Sequence, residues 1–240
     1  MPPPPFQRLA AITVDLLGTT FDWFTGMSEQ IRTLAHREGL EIDAPDLTDR
    51  WRADFYAALE AVRTGHRPFV PLDVLHAEGL DRILAGRADV GRFTSRTREE
   101  MVRMWHRLPA WADVGPGVAR LRQRYVVAAL SNGGFAQTVN LVKHAGLGFD
   151  CVLSAQMAGH YKPDPEVYLT AVDMLDLEPE QILMVAAHGW DLDGARTVGL
   201  RTAYVRRPLE KGPFRAPEDA GSIQCDLIVD DFTELADNLP

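Results

Sequence analysis

The sequence predicts an α/β protein: a parallel sheet covered by helices, with a helical insertion directly after the first strand. Three observations carry this. A single buried-type apolar run stands near the N-terminus. Residues 26–107 then follow helical periodicity with no strand candidate. From residue 125 onward, short continuous apolar runs alternate with helical patterns, which requires parallel strands covered on both faces.

Residues 10–15 read as the first strand. Ile31, Leu34, Ala35 and Glu38 fall on one helical period that Gly39 ends; Leu47, Trp51, Phe55, Ala58, Leu59 and Val62 form a second stripe that Gly65 ends. Two further helices are expected at 71–85 and 95–107, and Pro109 to Pro116 reads as a linker. Strands follow at 125–130, 151–154, 182–186, 202–205 and 227–229, with helices at 134–145, 165–175 and 190–198. Residues 1–20 and 111–240 therefore form one α/β core domain, and residues 21–110 a helical domain inserted above the carboxyl edge of the sheet. That edge is where open α/β sheets bind ligands.

The 240 residues, 46% hydrophobic and 25% charged, suffice for a substantial core. A net charge of −9 argues against nucleic acid or an anionic membrane as the partner, and no apolar run approaches the ~18 residues of a membrane span. Met1–Pro5 has neither the basic nor the apolar part of a signal peptide and reads as an extended tail. Cys151 and Cys225, far apart beside strand-like runs, read as buried free thiols of a cytoplasmic protein.

Polar residues close successive core strands: Asp15 with Thr19, Ser131 with Asn132, Lys162, and Asp191. Each alone is an ordinary turn or cap residue. Together, on successive strand ends, they converge on one edge of the sheet, and this favours a site over a set of turns.

Asp15-x-x-Gly18-Thr19, Leu130-Ser131-Asn132-Gly133, Tyr161-Lys162-Pro163-Asp164 and Trp190-Asp191 resemble, in order and across nearly the whole chain, the four motifs of the haloacid dehalogenase superfamily. With the helical insertion they most resemble the L-specific 2-haloacid dehalogenases. The resemblance implies a Rossmann-like core with a helical cap, a nucleophilic Asp15, and neither metal nor cofactor. It also implies a small haloacid substrate with a halide product, and a homodimer, for which no sequence feature speaks. Trp51-Arg52 matches that family's Trp-Arg pair, whose Arg holds the leaving halide, and Tyr168 matches a Tyr the family uses. The implied mechanism has two covalent steps. Asp15 displaces halide into a site at Arg52 while Ser131, Asn132 and nearby backbone N–H groups hold the substrate carboxylate. Water activated by Asp191 then hydrolyses the Asp15 ester. Thr19 and Lys162 orient and stabilise Asp15; Leu16, Leu17, His188 and Trp190 complete the substrate site.

Chemistry separates this reading from a phosphatase of the same superfamily. A departing alkoxide needs a general acid, and a halide does not. Superfamily phosphatases place a second acid two residues after the nucleophile, where this chain has Leu17. They also place a metal-binding acid where it has Ala187. The alternatives are a Mg²⁺-dependent phosphatase or phosphonatase, and a catalytically silent ligand-binding member; the intact set Asp15, Ser131, Lys162 and Asp191 speaks against the latter.

Three positions in two motifs depart from the dehalogenase pattern. Ala186 and His188 stand where those enzymes often have Ser and Asn, and Leu17 where they often have Tyr. His188 either carries a hydrogen bond or charge beside a carboxylate or caps a turn. Trp23 and Trp190 are expected to line an apolar pocket and Phe69 to pack in the core. His66, His106, His144 and His160 read as surface or satisfied core residues, and Arg206-Arg207 and Glu99-Glu100 as solvated.

Overall fold

A computed structural model describes residues 6–240; the expected extended tail at residues 1–5 lies outside the described residues. The chain runs β1 (Ala11–Val14), α1 (Trp23–Glu38), α2 (Ala44–Arg63), α3 (Leu72–Leu84), α4 (Ser95–Met104), α5 (Val114–Leu121), β2 (Val126–Ser131), α6 (Phe135–His144), β3 (Cys151–Ser154), α7 (Ala155–Ala158), α8 (Pro165–Leu175), β4 (Ile182–Ala186), α9 (Gly189–Thr197), β5 (Arg201–Val205), β6 (Leu227–Val229) and α10 (Phe232–Asn238). The strands form one parallel sheet in the order β3-β2-β1-β4-β5-β6.

The order reverses at β1, whose Val14 pairs with Ala129 of β2 and Val185 of β4. Crossovers on the two sides of β1 leave in opposite directions, so a crevice opens beyond its carboxyl end. Asp15 follows Val14 immediately and points its chemistry there. The continuous apolar strands are explained by burial on both faces. Ile12, Val14, Leu183 and Val185 pack against Val118 and Leu121 of α5 and Phe232 and Leu235 of α10. Leu130, Met184 and Ala186 pack against Val167, Tyr168 and Ala171 of α8 and Leu192 and Ala195 of α9. Each Val, Leu, Ile, Phe or Met side chain so taken from water contributes about 1.5–3 kcal/mol.

Helices α1 to α4 pack on one another and bury a third cluster that includes Leu16, Leu17, Trp23, Met27, Ile31, Trp51 and Trp105. Local chemistry sets their ends. The Asp22 side chain accepts from Thr25 N–H at the start of α1, and Gly39 closes it in the left-handed region (φ 62°). Asp43 caps α2, which carries Pro45 in its first turn. The chain enters and leaves this layer side by side: Asp22 N–H donates to Pro109 C=O, and Trp111 N–H to Thr20 C=O.

The structure corrects several expectations. The linker is shorter than 109–116, because α5 begins at Val114. Pro116 sits in its first turn, where the missing N–H costs no helical hydrogen bond. The helices α5, α7 and α10 were not expected. Cys151 and Cys225 are free but only half-buried. Arg207 is not solvated: its guanidinium makes two bonds to Asp113 and donates to Thr19 C=O at 2.9 Å.

Candidate active site

Asp15 is 6% exposed and every carboxylate oxygen is engaged. Lys162 Nζ lies 3.2 Å from Oδ1, and Thr19 Oγ1 donates to Oδ2 at 2.7 Å. Thr19 is itself fixed, accepting the Ala187 N–H at 2.8 Å. Lys162 is 1% exposed and bridges two carboxylates, its Nζ also reaching Asp191 Oδ2 at 2.8 Å. Asn132 fixes the lysine's backbone: its Oδ1 accepts the Lys162 N–H at 2.7 Å. Burial would raise the Asp15 pKa, but Lys162, His188 and Thr19 together hold it well below the usual carboxylate range. Asp191, fully buried and next to the Asp15 charge, is raised despite Lys162. The nucleophile candidate is thus ionised, with its counter-charge built in.

A cavity of about 490 Å³ opens above Asp15, between the sheet edge and α2. Asp15, Leu17, Trp23, Arg52, Ser131, Asn132, Lys162, His188 and Trp190 all line it. The sequence-predicted set is therefore gathered from β1, α2, β2, the segment after α7, and the start of α9. Four predicted residues stand outside the lining: Leu16 packs in the apolar cluster of the helical layer, Thr19 is buried against Asp15, and Asp191 and Tyr168 lie behind Lys162, with no exposed surface. Tyr168 donates to Asp191 Oδ1 at 2.6 Å, so it supports a carboxylate and is not placed at the cavity surface. Phe69 packs on Tyr161, ring centroids 4.9 Å apart, away from the cavity.

Arg52 faces Asp15's cavity from α2 and is 5% exposed. Its guanidinium carbon lies 5.1, 4.9 and 4.6 Å from the ring centres of Trp23, Phe55 and Tyr56. Nη2 donates to Tyr56 Oη at 3.0 Å, while Nε and Nη1 are buried with no partner. Among the described residues no carboxylate pairs with it. A buried cation in an aromatic cage with two free donors is a seat for a small anion.

Ser131 ends β2, and its Oγ accepts the Gly133 N–H at 3.0 Å. His188 settles the question left open by its position. It stands at the N-cap of α9 but makes no side-chain cap bond. Its Nε2 lies 2.9 Å from Glu210 Oε1, and its Nδ1 3.4 Å from Asp15 Oδ2, a charge contact without hydrogen-bond alignment. Burial works against a charged ring, but the Glu210 charge and the Asp15 and Glu210 contacts raise its pKa well above the ordinary value. The ring lies between two carboxylates, which favour its charged form.

Glu210 escaped the sequence reading. It is 3% exposed and also accepts the Trp23 indole N–H at 2.9 Å. It approaches β1 because Gly18 leaves room: a Cβ on Gly18, already at φ +98°, would lie 2.3 Å from Glu210 Oε1. No motif marks a glutamate on the irregular segment after β5. Arg207, on the same segment, follows the polar-strand-end pattern that found Asp15 and Ser131, and that pattern would have flagged it.

Residues 9–199 match the family of haloacid dehalogenase-like hydrolases. The chain belongs to that family. Over nearly its whole length it resembles L-2-haloacid dehalogenases. One solved structure is 39% identical, with a TM-score of 0.90 covering 96% of this chain and 98% of that one. A second, a defluorinating L-2-haloacid dehalogenase, is 36% identical, with a TM-score of 0.89 covering 96% and 95%. An (S)-2-haloacid dehalogenase of Pseudomonas sp. (strain YL) is 35% identical over 116 residues; the match spans 47% of this chain and half (50%) of that relative's length. Among the described residues no helix is long and apolar enough to cross a membrane.

Proposed function

We propose that the chain is a hydrolase acting on carbon–halide bonds, converting short 2-haloalkanoic acids to 2-hydroxy acids through an Asp15 ester. One observation carries this reading. A buried carboxylate nucleophile with a lysine counter-ion shares a cavity with Arg52, a caged cation that has no acidic partner. The arrangement supports one group attacking carbon and the other receiving the anion that leaves.

In the first step an Asp15 oxygen attacks the α-carbon opposite the halogen, the carbon–halogen bond breaks, and halide is received at Arg52 with Trp23 and Phe55 around it. Displacement from behind inverts the carbon. Ser131 Oγ already accepts the Gly133 N–H, which leaves its hydroxyl proton for the substrate carboxylate, with Asn132 beside it. Water then attacks the ester carbonyl, releasing the 2-hydroxy acid and restoring Asp15. Lys162 offsets the charge that returns. The helices of residues 21–110 act as a cap domain on a core of 1–20 and 111–240, a division supported by the paired crossings at Thr20–Asp22 and Pro109–Trp111. Unpaired Cys151 and Cys225 suit a reducing compartment such as the cytoplasm.

The donor set does not suit the Mg²⁺ of a phosphatase. That ion takes about six oxygens at about 2.0–2.1 Å. Here the gap between Asp15 and Asp191 holds the Lys162 ammonium, His188 brings a second positive charge, and the side chains of Leu17 and Ala187 supply no oxygen. The test is halide released from fluoro-, chloro- and bromoacetate, measured by ion chromatography with and without EDTA. Release unaffected by EDTA and abolished by Asp15→Asn is expected; full activity in that variant would sink the reading.

A further inference from the structure

Resting on the dehalogenase reading, we propose that His188, oriented by Glu210, takes the proton from the water that hydrolyses the Asp15 ester and returns it to the departing alkoxide. The family resemblance gives the water-activating task to Asp191, and the geometry points elsewhere. A general base must reach the water it deprotonates. Asp191 has no exposed surface and does not line the cavity. Its Oδ2 accepts from Lys162 and its Oδ1 from Tyr168, so neither oxygen faces the ester. His188 does line the cavity, and its Nδ1, 3.4 Å from Asp15 Oδ2, is a buried ring nitrogen with no aligned partner.

Glu210 sets the tautomer. Its carboxylate, kept ionised by His188 against the effect of burial, accepts the Nε2–H, and the Trp23 N–H donates to the same oxygen, Oε1. When the ring is neutral, the lone pair is on Nδ1 and faces Asp15. Oδ1 stays with Lys162, and Oδ2, which accepts from Thr19 and lies beside His188, forms the ester.

The protons balance through one cycle. The resting ring is an imidazolium. Ester formation removes the Asp15 charge, and the Nδ1 proton passes to solvent; it is the one proton the overall reaction releases. The water oxygen then bonds to Asp15 Cγ while its proton moves to Nδ1, and the negative charge forms on Oδ1 beside Lys162. The bond from Cγ to Oδ2 breaks, and the alkoxide takes the proton from Nδ1. The remaining carboxyl proton passes to Nδ1, which restores the ion pair. The charged and titratable groups around the ring are Asp15, Glu210, Arg52 and Tyr56 of α2, Lys162, and the Lys211–Glu218 pair after β5, whose Glu218 accepts the Gly189 N–H.

The test is rapid-quench kinetics of His188→Asn with (S)-2-chloropropionate. One chloride per active site should appear in the first turnover, after which the steady rate should be lower by about 10²–10³-fold. Mass spectrometry should find the lactyl ester on Asp15. That first-turnover burst also shows that the variant is folded. Wild-type steady turnover, or a slow rate without burst or ester, would overturn the assignment. In Glu210→Gln the ring is retained and the imidazolium loses a partner. The rising limb of kcat against pH should therefore move to lower pH, by about one unit; an unmoved limb would count against the dyad. A wild-type enzyme that frees no halide from any haloacid would instead refute the dehalogenase reading itself.

Discussion

Tyr168 donates its hydroxyl to Oδ1 of Asp191 at 2.6 Å from a position with no exposure to the cavity. Burial and the neighbouring Asp191 charge raise its pKa well above the ordinary value, so it remains a donor throughout the working range. Its effect on the reaction passes through Asp191 to Lys162 and so to Asp15. Tyr168→Phe leaves a buried carboxylate oxygen unsatisfied, at a cost of about 1–3 kcal/mol. The expected result is a kcat lowered about ten- to a hundredfold with KM for the haloacid unchanged. A raised KM with kcat intact would show instead that the tyrosine holds substrate.

Arg52 is expected to act on the leaving anion directly. It is the caged cation of the cavity, and its free donors await an anion that appears only as the carbon–halogen bond breaks. Arg52→Gln keeps a polar side chain and removes the charge. Loss of a donor aimed at developing charge should lower kcat/KM by about 10²–10³-fold. Bromide inhibition of the same variant should weaken by at least about tenfold. Inhibition constants measured side by side check this; an unchanged bromide constant would place the halide elsewhere.

The parts of the site that sequence revealed share one property: they lie at the ends of strands whose burial is written as continuous apolar runs. Asp15, Ser131 and Asp191 are found this way, and Lys162 follows its strand closely. Arg52 lies in the middle of a helix, and only the resemblance of Trp51-Arg52 to the dehalogenase pair pointed to it. What sequence did not reveal depends on the path of irregular backbone. Glu210 reaches His188 only because the segment after β5 folds back over Gly18. The direction of Tyr168 is likewise set by the packing of α8 against α9, not by its spacing from Lys162. The helix α5 was hidden because Gly115-Pro116-Gly117 has the composition of a loop, while its burial comes from tertiary contact with Phe232.

His76 offers a test of stability rather than chemistry. It is completely buried, stacked on Trp105 with centroids 4.5 Å apart, and neither ring nitrogen has a partner. Burial, with the Arg52 charge adding to it, pushes its pKa down to about 3. The folded protein therefore keeps the ring neutral where the unfolded chain protonates it, below about pH 6.5. The unfolded state binds the extra proton, so this contribution to stability is complete above pH 6.5 and is lost as pH falls towards 3. At pH 5 the loss is about 2 kcal/mol. His76→Phe removes the titration and keeps a stacked ring. Urea unfolding of both proteins at pH 7 and pH 5 should show the variant gaining about 2 kcal/mol on the wild type over that interval. Parallel losses in the two proteins would mean that the buried ring finds a proton-binding partner.

Arg207 joins the stability of the core to the position of the nucleophile loop. Its side chain is 7% exposed, makes two bonds to Asp113 at 2.9 and 2.8 Å, and donates to the carbonyl of Thr19, whose hydroxyl holds Asp15. Burial raises the Asp113 pKa, and Arg207 with the Phe232 N–H brings it below the ordinary value. Arg207→Met leaves that carboxylate half-paired and the Thr19 carbonyl without its donor. Leaving one partner of this partly buried, hydrogen-bonded pair unsatisfied costs about 1–3 kcal/mol, so a fall in the urea midpoint is expected. The double variant Arg207→Met with Asp113→Leu removes both charges and should recover a large part of that stability, because no buried ion is left alone. It should not recover kcat, since Thr19 still lacks its anchor. Equal recovery of stability and kcat would show that the pair acts only as a structural tie, with no hold on the position of Asp15.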